Sequence, residues 1–223
     1  NMANKIIVNS IDFQRELKKK FNLNSQCIYN PLNKKEIIKN SKKKIKINFF
    51  RKNDFKIISV ARFSDQKDHF CLIKSINLLR KKYQNIKVLL IGSGEKKDEI
   101  KYMIDQLKLN KFFKILDFKN NPYPYIKKSD VFILSTNFEG LPNVLLEAIT
   151  LNKLVISSNC PTGPSEILDN GKGGLLFRVN NYKQLSQKII FAIKNKKKCS
   201  KKILFAKKRL YRFDFSKNLE KYF

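Results

Sequence analysis

Residues 87–95 of the chain, which read KVLLIGSGE, are the stretch from which the fold is predicted. The first five residues have the length of a strand, and the last four of them, 88–91, form an apolar run; Gly92 and Gly94 follow before a helical pattern begins. A strand, a glycine loop and a helix together make one unit of an alternating α/β fold. The dinucleotide-binding fingerprint requires a third glycine where Lys97 stands, so a nicotinamide cofactor is not expected. Gly92 is a candidate ligand contact, although a tight strand-to-helix turn explains it equally well.

The same unit recurs along the chain on both sides of this stretch. Periodicity predicts strands at 5–8, 26–29, 55–60, 87–91, 113–116, 131–134, 154–157 and 175–177. Helices are predicted at 12–20, 66–83, 95–107, 122–128, 142–151, 181–195 and 199–210, with a helical turn and a linker over 34–54. Apolar strands that alternate with helices predict an α/β fold with a Rossmann-like, doubly wound parallel sheet. Ligands bind such sheets at the carboxyl ends of the strands.

The composition is strongly basic: 48 Lys and Arg stand against 18 Asp and Glu, a formal net charge of +30. Such a charge points to a polyanionic partner, either a nucleic acid or an anionic membrane. However, only seven of the cations are Arg, the residue that makes bidentate contacts to nucleic acids. Lys, Asn and Ile are also the residues that A/T-rich codons favour. A solvated lysine surface therefore competes with a dedicated polyanion site as the explanation.

Other classes of protein are excluded or disfavoured. The 42% hydrophobic content, with 18 Phe, excludes a disordered basic tail. No run of eighteen apolar residues is present to span a membrane. The four Cys are widely separated and form no CxxC pair, so we expect a reducing compartment and neither a disulfide framework nor a zinc site. His69 is the only histidine, and its place at a helix start beside Lys67 predicts a surface or cleft-rim position rather than a catalytic triad.

Two cations follow the strand predicted at 55–60. Arg62 and Lys67 stand where that strand ends and the next helix begins. Cations at this edge of a parallel sheet can clamp a pyrophosphate. Salt bridges to Asp65 and Asp68 at the surface are an equally good explanation of the same residues.

A second cluster follows the strand predicted at 131–134. Glu139 lies in the loop, Pro142 suits the first turn of the next helix, and Glu147 lies about 7.5 Å further along that helix. The free N–H groups at such a helix start attract phosphate. Two carboxylates that flank this helix start could hold hydroxyl groups on both sides of a bound diphosphate. The alternative is a dipole partner at the helix start for Glu139 and a buried, paired Glu147.

The combination resembles family 4 of the retaining glycosyltransferases, which have the GT-B fold. Glu139 and Glu147 match the E-x7-E motif of that family. Further matching segments are 59–63 with Lys67, 88–95, 116–123, 129–135, 155–157, 160–168 and 170–176. The resemblance extends over about residues 3–220. Ala61, Asp117 and Asn152 depart from the pattern, and Asn152 is a good substitute for glycine as a left-handed helix cap.

The resemblance implies transfer of a sugar, with retained anomeric configuration, from a nucleotide-diphosphate donor. Arg62 and Lys67 would neutralise the diphosphate leaving group and Glu139 would hold the sugar hydroxyls, which makes these three the candidate catalytic residues. Glu147 would hold the ribose hydroxyls, and the segment Leu116–Phe118 would lie against the base. The other substrate-binding positions that the resemblance implies are Gly92, Gly140, Leu141, Pro142, Asn143, Val144 and Leu145. No metal site and no cofactor are expected.

The resemblance also predicts how the chain is divided. Residues 1–33 would be the tail of an N-terminal acceptor domain with the crossover, and 34–205 the nucleotide-sugar-binding domain. Residues 206–223 would form a C-terminal helix that packs back toward the first domain. Because the acceptor domain would precede this sequence, the chain is expected to bind donor without efficient turnover.

The expected partners are a nucleotide-sugar donor, with UDP as the favoured nucleotide, and a glycan or lipid-linked acceptor of surface polysaccharide biosynthesis. The expected location is the cytoplasm, with peripheral attachment to the inner face of the membrane as an option that the charge leaves open. No specific nucleic-acid partner is expected. Two alternatives remain: a basic domain that binds nucleic acid or anionic membrane, and a nucleotide-sugar epimerase or a phosphorylase with the same architecture.

Overall fold

The computed structural model describes residues 5–222. The strands are β1 (Ile7–Val8), β2 (Gln26–Cys27), β3 (Phe55–Val60), β4 (Ile86–Ile91), β5 (Phe113–Leu116), β6 (Val131–Leu134), β7 (Leu154–Ser158) and β8 (Leu175–Phe177). The helices are α1 (Ile11–Phe21), α2 (Lys34–Asn40), α3 (His69–Leu79), α4 (Lys97–Gln106), α5 (Tyr123–Lys127), α6 (Asn143–Thr150), α7 (Pro164–Ile167), α8 (Tyr182–Lys194), α9 (Lys196–Arg209) and α10 (Phe215–Leu219). Three short 3-10 turns cover Asp65–Lys67, Leu210–Phe213 and Glu220–Tyr222.

The main sheet has six parallel strands in the order β5-β4-β3-β6-β7-β8. This is the strand order of the doubly wound Rossmann fold, so the predicted fold class is confirmed. The order reverses between β3 and β6, which are neighbours in space although two strands separate them in the chain. The carboxyl ends of these two strands therefore mark the point where such a sheet binds its ligand.

The side chains of each strand in the sheet pack into two cores, one on each face, because successive side chains point to opposite faces. Ile57 belongs to the core that α3, α4 and α8 cover, whereas Ile58 belongs to the core beneath α2 and α6. The central strands β6 and β7 are buried along their full length. Burial on both faces explains why they read as continuous apolar runs rather than as alternating ones.

The N-terminal elements form a separate small layer. β1 and β2 pair with each other in parallel and α1 connects them. β1 and β2 are not strands of the six-stranded sheet.

Two local expectations about the helices are corrected by the structure. Residues 206–222 are not one helix: α9 ends at Arg209, and a 3-10 turn separates it from α10, whose first turn Asp214 caps through a hydrogen bond from Lys217 N–H. Pro142 precedes α6 as its cap, with extended backbone, rather than lying in its first turn. α7 and α10 are too short for periodicity to detect. Asn152 does adopt the predicted left-handed conformation, with φ 58°.

His69 is buried, not at the surface or a cleft rim. Its ring is 1% exposed and meets Phe63 edge-on, with 5.1 Å between ring centroids. Asp68 causes this placement: its left-handed backbone turns the chain inward, and its carboxylate caps α3 by accepting from Cys71 N–H. The helical spacing of His69 with Leu72, Ile76 and Leu79 would have revealed the burial.

The burial of His69 predicts acid-sensitive stability. Burial, with the Lys67 charge nearby, lowers the pKa of His69 to about 4 from an ordinary 6.5. Between these values the unfolded chain takes up a proton that the folded chain excludes, so the His69 contribution to stability falls as pH falls from 6.5 toward 4. His69→Phe should remove this loss. The difference in free energy of unfolding between the two proteins at about pH 5 should therefore depart by roughly 2 kcal/mol from its value at neutral pH.

Urea unfolding of both proteins at neutral pH and at about pH 5 measures this shift. Both proteins must be compared because Asp68 has the opposite effect. Burial raises the pKa of Asp68 to about 6, so the contribution of Asp68 to stability increases as pH falls through that region. Both proteins keep Asp68, so its effect largely cancels in the difference. If the free energies of unfolding of the two proteins change in parallel with pH, His69 is protonated in the folded protein as it is in the unfolded chain.

Candidate active site at the carboxyl ends of the strands

The loops after β3 and β6 are tied together at the point where the strand order reverses. Ser135 Oγ donates to the carbonyl of Asp68 at 2.8 Å, and Thr136 Oγ1 donates to the carbonyl of Gln66 at 3.1 Å. Asn137 N–H also donates to Gln66, at 2.7 Å. These bonds hold the segment containing Lys67 against the segment that leads to Glu139.

Lys67 and Glu139, which the sequence predicts as separate catalytic candidates, form an ion pair with each other. The Lys67 ammonium meets Glu139 Oε1, and the two side chains are only 18% and 9% exposed. Since water screens such a pair little, each charge stabilises the other. A ligand that places an anion beside Lys67 or a hydroxyl beside Glu139 meets charged groups that are already in position.

Arg62 lies in a neighbouring cleft of about 450 Å³. Its side chain is 73% exposed, and its Nη2 lies 3.6 Å from a Glu95 carboxylate oxygen. A surface pair of this kind contributes little to stability, so the guanidinium can move to a ligand at small cost. Three other predicted site residues line the same cleft: Gly92, Phe118 and Glu147.

Glu147 is half-buried at the far side of this cleft. Tyr123 Oη donates to Glu147 Oε1 at 3.5 Å. Burial raises the pKa of Glu147 above its ordinary value, and burial together with the Glu147 charge raises the pKa of Tyr123 to about 12. Tyr123 therefore stays a hydrogen-bond donor, and the remaining acceptor capacity of Glu147 is available to hydroxyl groups. Nothing in the sequence spacing pairs Tyr123 with Glu147.

The backbone around α6 provides a third part of the site. Leu141 and Leu145 are 6% and 0% exposed, so neither side chain is presented to a ligand. The N–H of Leu145 already donates to the Pro142 carbonyl at 3.0 Å. Asn143 is exposed and accepts from Asn30 Nδ2 at 3.0 Å, which brings the predicted crossover segment to this loop.

The remaining predicted positions differ in how they meet the cleft. Gly140 is exposed, and a Cβ added to it would lie 3.5 Å from Asn9 Oδ1. Val144 is half-buried at the start of α6. Leu116 packs on the core and does not line the cleft, although its carbonyl accepts from Gly92 N–H at 3.1 Å. Phe118 is 63% exposed, so its ring is free to stack on a flat ligand.

Two glycines permit the loops to meet at this edge of the sheet. A Cβ on Gly92 would overlap the carbonyl oxygen of Ala61, so the turn after β4 can press directly on the end of β3. A Cβ on Gly163, which has φ +88°, would overlap the carbonyl of Gly140 and the ring of Pro142. Thr162 Oγ1 also donates to the carbonyl of Glu139. Gly92 thus has a packing role that does not require a ligand.

Glu166, at α7, joins the N-terminal layer to the main sheet. Its Oε2 accepts from Ser10 Oγ at 2.7 Å, and its Oε1 accepts from Tyr29 Oη at 2.5 Å and from Ile11 N–H at 3.0 Å. Asp12 N–H donates to it as well, at 3.3 Å. One carboxylate thus caps the first turn of α1 and fixes residues more than 130 positions away in the chain.

A larger cavity, of about 730 Å³, lies at the opposite edge of the sheet, near the amino ends of β3, β6 and β7. Lys153 lines it, but its ammonium already donates to the carbonyls of Lys127 and Ser129. The carboxyl-end cleft is the better candidate because parallel sheets bind ligands at that edge. Within residues 5–222 no group of His, Cys, Asp and Glu side chains is arranged to hold a metal ion.

The chain is similar to known proteins over most of its length. The model of the family described as glycosyl transferases, group 1, matches residues 40–209. The chain belongs to this family. The match includes Arg62, Lys67, Glu139 and Glu147 together with the whole six-stranded sheet.

The chain spans about a third of the length of the curated relatives that it matches. It is 39% identical over 117 residues, 52% of this chain and 29% of the relative, to an uncharacterised glycosyltransferase of Methanocaldococcus jannaschii. It is 33% identical over 131 residues, 59% of this chain and 35% of the relative, to the Campylobacter jejuni enzyme N-acetylgalactosamine-N,N'-diacetylbacillosaminyl-diphospho-undecaprenol 4-alpha-N-acetylgalactosaminyltransferase.

The fold matches solved GT-B glycosyltransferases. The Anabaena protein HepE, solved in complex with UDP and glucose, superposes with a TM-score of 0.84 at 20% identity. That match covers 99% of this chain and 62% of the HepE chain. The N-terminal layer is therefore part of what the two structures share.

The Glu166 contacts predict a selective effect of Glu166→Gln. An amide has one acceptor oxygen and a donor group where the carboxylate has two acceptors, so at least one of the four donors loses its partner. We expect the free energy of unfolding to fall by roughly 1–3 kcal/mol and, more specifically, the contacts that hold α1 to weaken. Limited trypsin digestion should then cut the lysine-rich end of α1 faster than in the unmodified protein.

Glu16→Gln is the matched control because Glu16 is an α1 carboxylate whose ion pair, with Lys20, is exposed. It should leave the digestion rate near that of the unmodified protein. Equal protection of α1 in the Glu166→Gln protein would mean that this carboxylate does not hold the N-terminal layer in place.

Proposed function

We propose that this chain is the donor-binding half of a retaining family 4 glycosyltransferase that uses a UDP-sugar. One observation carries the proposal: Arg62, Gly92, Phe118 and Glu147 line a single cleft at the carboxyl edge of the sheet, beside the Lys67–Glu139 pair. A nucleoside diphosphate needs a flat face, a pair of hydroxyl acceptors and cations, and these groups provide all three. HepE, which shares the fold, was solved with UDP, and this supports UDP as the nucleotide.

Each candidate residue has a proposed role that follows from its surroundings. Phe118, exposed at the rim of the cleft, would lie against the base, and Glu147 would accept from the ribose hydroxyls. Arg62 would turn from Glu95 to the diphosphate. Lys67 would add a second cation to the leaving group while Glu139 accepts from hydroxyls of the sugar, so the donor would lie across their ion pair.

We further propose the division of the chain that the resemblance implies. Residues 1–33 would be the end of the acceptor domain with the crossover, 34–205 the donor domain, and 206–223 a return segment toward the acceptor domain. The bond between Asn30 and Asn143 supports a crossover that reaches the site. The Glu166 contacts support a fixed junction between the first two parts.

The proposed acceptor is a glycan or a lipid-linked saccharide of surface polysaccharide biosynthesis. The Campylobacter jejuni relative supports this because the name of that enzyme describes an undecaprenol-linked acceptor. Such an acceptor would require the enzyme to work at the inner face of a membrane. Within residues 5–222 no helix is both long and apolar enough to cross one.

The diphosphate role of Arg62 predicts a selective loss of affinity. Arg62→Ala should weaken UDP binding by about 10-fold to 100-fold, because a charged hydrogen bond contributes roughly 1.5–3 kcal/mol. Binding of uridine, which lacks phosphates, should not change. Titration calorimetry with UDP, GDP, ADP and uridine measures both effects, with UDP expected to bind tightest. Arg51→Ala, which removes an exposed arginine in the loop before β3, is the control. Equal losses for uridine and UDP would contradict the assignment.

The ribose role of Glu147 predicts a change in sugar discrimination. The unmodified protein should bind UDP about tenfold more tightly than 2′-deoxy-UDP, because the deoxy compound lacks one of the two ribose hydroxyls that would donate to the Glu147 carboxylate. In Glu147→Ala this ratio should approach one. Glu99→Ala, which removes an exposed carboxylate on α4, should keep the ratio of the unmodified protein. The ribose assignment fails if Glu147→Ala still discriminates between the two nucleotides.

A further inference from the structure

The positive charge of the chain is unevenly distributed. Residues 170–213 contain 14 Lys and Arg and no Asp or Glu. The other 179 residues carry 34 Lys and Arg together with all 18 acidic residues. A codon bias toward lysine adds cations everywhere, but it does not remove the acidic residues from one segment. This segment therefore needs a physical explanation of its own.

The helix α9 carries a large share of these cations on its exposed side. Its inner side packs through the buried residues Cys199 and Ala206. On the opposite side Lys197, Lys201 and Lys208 are exposed, and Leu204 between them is 59% exposed. The spacing of four, three and four residues places these side chains in one row along the helix. We refer to the row of Lys197, Lys201, Leu204 and Lys208 as the outer face of α9.

No carboxylate neutralises this face within the part of the chain that the structure describes. None of the ion pairs among residues 5–222 includes a residue of 170–213. Two other cations of the segment serve the fold instead: Lys202 donates to the carbonyl of Gly171, and Arg212 donates to those of Glu166 and Ile167 at 3.1 Å. Lysines four residues apart on a helix repel each other, so the outer face gains stability when an anionic surface approaches it.

We propose that the outer face of α9 is a contact surface for an anionic lipid bilayer. The exposed Leu204 favours this partner because a lysine row with an apolar side chain in its centre suits the boundary between headgroups and acyl chains. Tyr211, 56% exposed in the 3-10 turn after α9, is of the residue type that lies at the headgroup level. Nucleic-acid contacts instead favour arginine, and the face presents lysine only. This contact surface does not depend on the nucleotide site.

Co-sedimentation of the full chain with lipid vesicles tests the proposal. Binding is expected to vesicles made of equal parts phosphatidylcholine and phosphatidylglycerol, and not to vesicles of phosphatidylcholine alone. It should weaken as salt is added, since salt screens exposed charges. The triple variant Lys197→Gln, Lys201→Gln, Lys208→Gln should bind the anionic vesicles about 100-fold more weakly. Each substitution removes the electrostatic attraction of one lysine to the anionic surface, and the three losses add up.

The matched control is the triple variant Lys81→Gln, Lys82→Gln, Lys114→Gln, which removes the same charge from exposed lysines elsewhere on the protein. It should lose little of the vesicle affinity. Leu204→Ser should weaken binding in a way that added salt does not alter. Equal losses in the two triple variants would overturn the proposal, because general positive charge would then explain the binding.

The same proteins distinguish a nucleic-acid partner from a lipid surface. If a single-stranded oligonucleotide binds more tightly than the anionic vesicles, and the α9 triple variant loses that binding, the lipid surface is the wrong partner. UDP affinity should be the same in the unmodified protein and both triple variants. Absence of UDP binding in all three proteins would contradict the proposed function while the vesicle result still decides the role of α9.

Discussion

The half-buried Glu166 carboxylate is the contact on which the assembly of this chain depends. Burying a charge is costly unless hydrogen bonds satisfy it, and here Ser10, Tyr29 and two N–H groups at the start of α1 do so. From the other side, the Arg212 guanidinium holds the carbonyls of Glu166 and Ile167. Because α7 is held from both directions, it joins the N-terminal layer and the C-terminal turns to the sheet.

This junction also shapes the candidate site. With the start of α1 held by Glu166, Asn9 lies beside Gly140 and Asn30 reaches Asn143. The segment before β3 therefore contributes polar groups to the loop that carries Glu139. A site that is distributed over such distant segments has a defined geometry only when the junction between them is rigid.

The cations of the chain act in two different ways. Arg62 and Lys67 stand at defined positions beside the carboxyl ends of strands, where they would bind and orient a particular anion in the proposed function. The lysines on the outer face of α9 form a row that no carboxylate among residues 5–222 neutralises, which suits an extended surface rather than a single ligand. The net charge of +30 is the sum of both, so it does not reveal either one.

Much of the fold and part of the site follow from local sequence. The apolar runs at β3, β4, β6 and β7 predict a parallel sheet because burial on both faces leaves no room for polar alternation. The E-x7-E spacing of Glu139 and Glu147 places one carboxylate before α6 and the other within it. Both features are encoded over a few consecutive turns of chain. A family of α/β proteins that shares the apolar strands and the E-x7-E spacing can therefore be recognised from local sequence.

Only the tertiary structure decides which charges meet. Lys67 and Glu139 pair across 72 residues, Tyr123 reaches Glu147 across 24, and His69 is buried because a left-handed Asp68 turns it inward. Local patterns determine which face of each element is apolar, and this establishes the layers. The partner of each polar group depends on strand order and on the close approach of loops at Gly92 and Gly163, which are properties of the whole sheet.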